Sequence, residues 1–319
     1  MKVCFWGTRG SLPAAVNTLN LEQKVFEVLK RSREREFSRD DDIRAFVEKE
    51  LPLSMAGFYG TNTSCVEITG GTHHVICDAG TGIMDLSRSL SATDTGCPDG
   101  RPRVFHIFIS HLHWDHIQGF PFFMQNYAEG NRIIVHGCHP FMKRAFLYQS
   151  ERANIRLPVR ADISFHRLRP GRQYDIAGCH VQPVLQNHPG DSYGYRFEMN
   201  GKSVVYSSDC EHFEEASEDD YRFIDFFRGA DLVIIDAQYP LLDALSAKEN
   251  WGHSNNMVAA ELGARAGVKR LCLFHNEPTV DDMALEAFLE GTRRYLKIYD
   301  PESTMTIDLA WDGMEIEIL

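Results

Sequence analysis

No two of the eight cysteines lie in C-x-x-C spacing, and no apolar run approaches the ~20 residues of a membrane-spanning helix. Cations are also in short supply. Lys and Arg total 33 against 45 Asp and Glu, a net charge of −12. Each shortage excludes something. Cysteines at 4, 65, 77, 97, 138, 179, 210 and 272, several inside apolar runs such as Val75-Ile76-Cys77, read as buried free thiols of a reducing compartment. A scattered disulfide framework is the rival. The opening residues MKVCFWGTRGS lack the long apolar stretch of a secretory signal, so a soluble cytoplasmic protein without membrane partners is expected. An acidic chain has no general attraction for a polyphosphate backbone, which disfavours nucleic acid as a partner. A small anionic substrate stays open, because a bound cation sets its own local field. Low-complexity linkers and repeats are absent as well. With 319 residues, 43% of them hydrophobic, the chain can bury a large core without disulfides, and one domain over 1–319 is expected.

What is present is alternation. Apolar runs of strand length occur at Val3–Trp6, Cys65–Thr69, His74–Cys77, Val104–Ile109, Ile133–His136, His180–Val184, Tyr193–Glu198, Ser203–Tyr206, Leu232–Ile235 and Arg270–Phe274. Helical spacing is expected over Ile83–Leu90, Pro140–Gln149, Asn255–Ala266 and Met283–Leu296. Strands interleaved with helices predict a layered α/β fold. Residues 16–56 break the β pattern. Leu21, Val25, Val28 and Leu29, then Ile43, Phe46, Val47 and Leu51, recur at helical spacing, and Asp40, Asp41 and Asp42 suit the positive end of the second helix. This segment reads as a helical-hairpin insertion: a surface excursion, a lid, or a contact between two copies in a homodimer.

The strongest signal is His111-Leu112-His113-Trp114-Asp115-His116, directly after the continuous apolar strand Val104–Ile109. Neutral imidazole and carboxylate suit Zn²⁺ and other borderline divalent ions. His111 and His113, two apart, can point toward one ion, and Asp115 and His116, further round the turn, toward a second. Fourteen histidines is a high count for an acidic chain.

H-x-H-x-D-H after an apolar strand and a serine resembles metallo-β-lactamase-fold hydrolases. G-T-R-G-S-L-P at 7–13, Y-G-T-N-T-S-C at 59–65, D-A-G-T-G at 78–82 and S-H-L-H-W-D-H-I-Q-G-F-P at 110–121 narrow the likeness to a phosphodiesterase branch. That branch is similar to class II cyclic-nucleotide phosphodiesterases, phosphoribosyl cyclic phosphodiesterases and tRNA 3′-processing nucleases. The resemblance spans nearly the whole chain outside 16–56. It implies a four-layer αββα sandwich holding two divalent ions: zinc first, manganese or iron as alternatives. It also implies further ligands at strand ends, which His188, Asp209 and His275 match. By resemblance His111, His113 and His188 belong to one ion, Asp115, His116 and His275 to the other, and Asp209 to both.

The expected chemistry is hydrolysis of a small phosphodiester, a cyclic phosphate such as a 3′,5′-cyclic nucleotide, by hydroxide held between the ions. Asp115 and His253 are the candidate catalytic residues. His253 precedes the expected helix at 255–266, with Ser254 as its N-cap, and resemblance makes it a general acid or phosphate contact. Arg9, Asn62, Ser64, His253 and Ser254 are the candidate substrate contacts, with Thr63 beside them. Asp78 either orients a ligand or caps the glycine turn, and Asp236 is a structural or supporting group. The remaining histidines, His180 and His212 among them, are expected to be structural or solvated. The alternatives are an RNA 3′-end processing nuclease, then a lactamase or thioester hydrolase, and from a different class a metal-bearing sensor without turnover.

Overall fold

The computed structural model describes all residues except 72, 94–102, 153–158, 242–247 and 249; part of the polar loop expected at 91–103 therefore lies outside the described residues. The strands run β1 (Lys2–Gly7), β2 (Cys65–Thr69), β3 (His74–Cys77), β4 (Val104–Ile109), β5 (Arg132–Gly137), β6 (Asp162–Arg167), β7 (Tyr174–Ile176), β8 (Cys179–Gln186), β9 (Ser192–Met199), β10 (Lys202–Ser207), β11 (Leu232–Asp236), β12 (Arg270–Phe274), β13 (Thr306–Leu309) and β14 (Glu315–Glu317). They form two seven-stranded sheets, ordered β14-β1-β2-β3-β4-β5-β6 and β13-β12-β11-β10-β9-β8-β7. Each sheet is mixed. β3 to β6 are parallel neighbours in the first, and β10 to β13 in the second.

Side-chain alternation along the central strands explains the layering. In β4, Phe108 faces the space between the sheets while Phe105, Ile107 and Ile109 face outward. In β11, Leu232 and Ile234 face inward and Val233 and Ile235 outward. Strands apolar on both faces need cover on both. The outer face of the first sheet receives α4 (Ile83–Thr93) and α6 (Met142–Arg152) through Ile83, Leu86, Met142 and Phe146, and the single-turn α5 (Trp114–Ile117) follows β4. The second receives α7 (Arg222–Phe227), α8 (Asn256–Arg265) and α9 (Asp282–Tyr299) through residues such as Phe223, Ala260, Leu285 and Leu289. The result is the expected four-layer sandwich. β6, β7, β13, β14 and α7 were not anticipated from the sequence. All are short, and the four strands carry polar or half-exposed residues that blur the alternation.

The insertion forms α1 (Thr18–Ser32), α2 (Asp40–Lys49) and the short α3 (Leu53–Ala56), so it is a hairpin with an extra turn. Asp40, Asp41 and Asp42 occupy the first turn of α2. Phe46, Leu51 and Met55 make a small core of their own with Val28, Phe37 and Val47. The segment is docked by Lys24, whose buried ammonium lies 2.5 Å from Asp282 Oδ2 and 3.9 Å from the Phe58 ring centroid. On α1, Leu19, Phe26 and Leu29 remain exposed. Among the described residues no helix is long and apolar enough to cross a membrane, and the seven described cysteines are buried and free.

Candidate metal centre

The parallel strands end along one edge of the sandwich, and the polar residues that follow them converge there. Asp78 follows β3, Ser110 and His111 follow β4, His188 lies past β8, Asp209 past β10, and His275 follows β12; Asp236 is the last residue of β11. Asp78, Asp209 and His275 take left-handed φ values of 61°, 50° and 65°, which non-glycine residues rarely adopt. The chain turns sharply at each strand end and throws the side chain across the edge, so backbone strain is concentrated at the site.

Three groups of donor atoms result among the described residues: Asp236, His253 and His275 make a small one, and two larger ones share Asp209. His111, His113, His188 and Asp209 form one, and Asp115, His116, Asp209 and His275 the other. His188 Nε2 lies 3.2 Å from His113 Nδ1 and 3.7 Å from Asp209 Oδ2. His116 Nε2 lies 3.2 Å from both Asp115 Oδ2 and Asp209 Oδ1, and 3.3 Å from His275 Nε2. Asp209 belongs to both larger groups, one oxygen turned to each. All but the exposed His113 are buried.

The proton inventory tests whether these residues fit cations. His188 Nδ1 is 2.7 Å from the Gly252 carbonyl, so it must donate and Nε2 carries a lone pair. His116 Nδ1 donates to Asp78 Oδ2 at 2.7 Å, which leaves Nε2 as the nitrogen that faces the ion group. Ser110 Oγ donates to Asp78 Oδ2 at 2.7 Å and so accepts from His111 Nδ1 at 3.0 Å; His111 Nε2 is buried with no hydrogen-bond partner. The His111 and His188 lone pairs therefore face Asp209 Oδ2 at 3.5 and 3.7 Å, and His116 Nε2 faces Asp115 Oδ2 and Asp209 Oδ1 at 3.2 Å. Acceptors packed against acceptors are repulsive unless a cation lies among them, so the residues fit a pair of divalent ions.

Burial would lower His116, but Asp209, Asp115 and Asp78 outweigh it and raise the ring well above the usual imidazole range, so without ions the carboxylates take their positive charge from a proton on His116. Burial would raise the Asp209 carboxyl, but His116, His275 and His111 outweigh it and hold the group well below the usual carboxylate range. Asp115 is depressed in the same way, burial being overcome by His116 and His275. Burial, then the neighbouring His116, lowers His111, in keeping with a neutral, ligating imidazole.

The supporting shell is anchored on Asp78. Its carboxylate accepts from the Ser110 backbone N–H, Ser110 Oγ, His116 Nδ1 and Tyr206 OH, each at 2.7 Å. Of the two sequence readings for this residue, the geometry is that of ligand orientation. Asp115 is steadied by the Ser11 backbone N–H at 2.8 Å. Gly10 passes so close to His275 that a Cβ there would lie 2.5 Å from the ring. Ser11 and Gly10 are contributions of the Gly7–Pro13 loop that sequence reasoning missed; the crowding of glycine in the G-T-R-G-S motif was the available signal.

His253 sits beside the ion groups. Its ring stacks on His275 at 4.9 Å and meets His188 edge-on at 5.1 Å. Nδ1 lies 2.8 Å from Asp236 Oδ2. Burial alone would lower the imidazole, yet Asp236, with Asp209 and Asp115 behind it, raises it to about 9.

The other residues expected to contact substrate have these partners in the structure. Arg9 is buried, and its guanidinium donates to the carbonyls of Gly60, Glu277 and Val280 at 2.8, 2.8 and 3.2 Å, with Asp282 at 3.5 Å. Its Nε and Nη1 hydrogens are taken by these carbonyls, in contacts that clamp loops together. Ser254 Oγ donates to Cys210 O at 2.6 Å and accepts from His212 N at 3.1 Å, so it too is structural. The N-cap of α8 is Asn255, whose side chain takes the Met257 and Val258 N–H groups and leaves them unavailable to a phosphate. Ser64 is fully buried, and Asn62 gives its amide to Asp85 Oδ2 at 2.6 Å. His180 pairs with Asp175 on the exposed β7–β8 hairpin and His212 bonds Tyr221 OH; neither joins the ion groups.

This architecture is the metallo-β-lactamase fold, with a candidate two-ion centre at the edge of the sheets. The chain belongs to the beta-lactamase superfamily: the model of the Beta-lactamase superfamily domain matches residues 73–276. A Ribonuclease Z of Thermoplasma acidophilum is 22% identical over 285 residues, covering 73% of this chain and 85% of the relative. The crystal structure of the metallo-beta-lactamase fold protein YhfI from Bacillus subtilis aligns with TM-score 0.63 at 16% identity, covering 99% of this chain and 98% of that one. A diphosphatase from the PhnP family aligns with TM-score 0.57 at 18% identity, covering 100% and 98%. At these identities the structural likenesses establish the fold.

Proposed function

We propose that this chain is a dinuclear-metal phosphodiesterase acting on a small cyclic phosphate such as a 3′,5′-cyclic nucleotide. The observation that carries the reading is the position of Asp209, shared between two ion groups that lie beside the His253–Asp236 pair. His111, His113, His188 and Asp209 would hold one ion, and Asp115, His116, His275 and Asp209 the other. Zinc suits the histidine-rich set first, with manganese or iron as alternatives. When bound, such a pair supplies Lewis acidity at phosphorus and a nucleophile available near neutral pH.

The chain's own residues supply the rest. Displacement at phosphorus leaves an alkoxide that needs a proton. His253 holds one, because Asp236 stabilises its imidazolium, and Nε2 is the nitrogen left to face a substrate. Asp236 fixes the ring orientation through Nδ1. Asp115 serves the reaction as a ligand, held by the Ser11 N–H, rather than as a proton carrier. A diphosphatase and a ribonuclease among the similar proteins support phosphorus over acyl chemistry.

The test is a hydrolysis panel of bis-p-nitrophenyl phosphate, cyclic nucleotides, a β-lactam and a tRNA precursor with a 3′ trailer. Metal-depleted and metal-reconstituted protein are compared. Turnover of the cyclic nucleotides that depends on added metal supports the reading; turnover of none of the phosphodiesters refutes it.

RNA 3′-end processing is the second reading, favoured by the likeness to Ribonuclease Z. The net charge of −12 weighs against it, since gripping RNA draws on clustered cations. Preference for the tRNA precursor in the same panel would reverse the order.

A further inference from the structure

Glu211 is a buried acid outside both ion groups, and no Lys or Arg pairs with it among the described residues. A buried carboxylate without a cation is costly unless its oxygens are fully hydrogen-bonded. Here both are. Oε1 accepts the Asn250 N–H and Oε2 the Gly252 N–H, each at 2.8 Å. Asn250 and Gly252 have left-handed φ values of 62° and 89°, so the backbone curls its N–H groups around the carboxylate. The same segment then delivers two groups to the site. The Gly252 carbonyl accepts from His188 Nδ1 at 2.7 Å, and the next residue is His253. A Cβ on residue 252 would lie 2.4 Å from His188 Nδ1, so only glycine permits this approach. The Glu211 backbone also holds Asn187, the residue before His188. Its backbone N–H donates to Asn187 O at 2.8 Å, and Asn187 Nδ2 donates to Glu211 O at 3.1 Å.

We propose that Glu211 is a positioning residue that sets, through the one segment 250–253, both the ion-facing nitrogen of His188 and the ring of His253. The effect is asymmetric. The second ion group is oriented by other means: Asp78 on His116 and the Ser11 N–H on Asp115. Loss of Glu211 therefore loosens one ion group and leaves the other set. The proposal rests on the two-ion reading above. It extends that reading by joining the two roles, ligand and acid, in one carboxylate.

The test is a Zn²⁺ titration of the metal-free full-length protein against a competing chelator, resolving two binding steps in the wild type, Glu211→Gln and Gly252→Ala. Glu211→Gln replaces one acceptor by an amide that opposes a backbone N–H. Gly252→Ala crowds the same contact without touching the acid. In both variants one step is expected to weaken about 10–100-fold, the scale for groups that orient ligands, while the other stays as in the wild type. Turnover at saturating Zn²⁺ is expected to remain depressed because His253 is displaced. Equal weakening of both steps alongside a lowered melting temperature, or no change in either, overturns the proposal. A wild type that binds fewer than two ions overturns the two-ion reading itself and this inference with it. If Glu211→Gln does not fold, the split between steps in Gly252→Ala decides alone.

Discussion

Asp236 Oδ2 lies 2.8 Å from His253 Nδ1 and takes the Cys210 backbone N–H at 3.1 Å, so one carboxylate at the end of β11 orients the His253 ring and steadies the residue after Asp209. Replacing the imidazole should separate proton delivery from ion binding. His253→Ala is expected to lower kcat about 10²–10⁴-fold, the usual worth of a positioned acid, with metal content unchanged by elemental assay. Asp236→Asn should lower kcat in the same direction. Loss of metal in His253→Ala would make the residue a structural prop.

Asp209 stands between the two groups, and its loss should be felt by both. Asp209→Ala is expected to abolish turnover and bring bound metal, measured by elemental analysis, below one ion per chain. Chelation of the wild type should lower the melting temperature, because ion removal leaves lone pairs facing carboxylates in a buried space. Readdition of Zn²⁺ or Mn²⁺ should restore both temperature and activity.

Asp78 gathers four donors, one of them the ring of the ion-group residue His116, and itself belongs to neither ion group. Tyr206→Phe removes one hydrogen bond to a charged acceptor and should cost about 1.5–3 kcal/mol in denaturant unfolding, with metal retained. Asp78→Asn should go further and weaken the ion group that contains His116, since Nδ1 loses the partner that fixes its tautomer. Equal metal affinity in Asp78→Asn and wild type would show that the ring is held by packing alone.

Away from the centre, His106 and His136 stack at 5.2 Å, with His106 Nδ1 3.0 Å from His136 Nε2. Burial first, then nearby cationic groups, lowers His106 to about 4 and His136 to about 3. Folded-state values below the unfolded one mean that the unfolded chain binds more protons. Stability is therefore intact above about pH 6.5 and falls as pH drops toward 4, by about 1.4 kcal/mol per pH unit for each histidine. Urea midpoints measured from pH 7 to pH 4 should follow that slope, and His106→Leu should flatten it. An unchanged slope in the variant would assign the acid sensitivity to other groups.

The sequence by itself determined the layered class and one local ligand cluster. Strands such as Val104–Ile109 and Leu232–Asp236 are apolar on both faces, and that pattern is written in consecutive residues. His111 to His116 lie on a single turn, so their proximity needs no tertiary contact. Edge strands such as Tyr174–Ile176 and Glu315–Glu317 are short and half-exposed, and they carry too little alternation to be read. Only the tertiary structure decided which way donors point. Arg9 looked free in a glycine-rich loop, yet carbonyls from segments 51 and some 270 residues away take its Nε and Nη1 hydrogens. Glu211 carried no motif, because its partners are backbone N–H groups 39 and 41 residues distant, which any side chain could carry. Residue type restricts which chemistry a position can perform. Hydrogen-bond direction across the fold selects which position performs it.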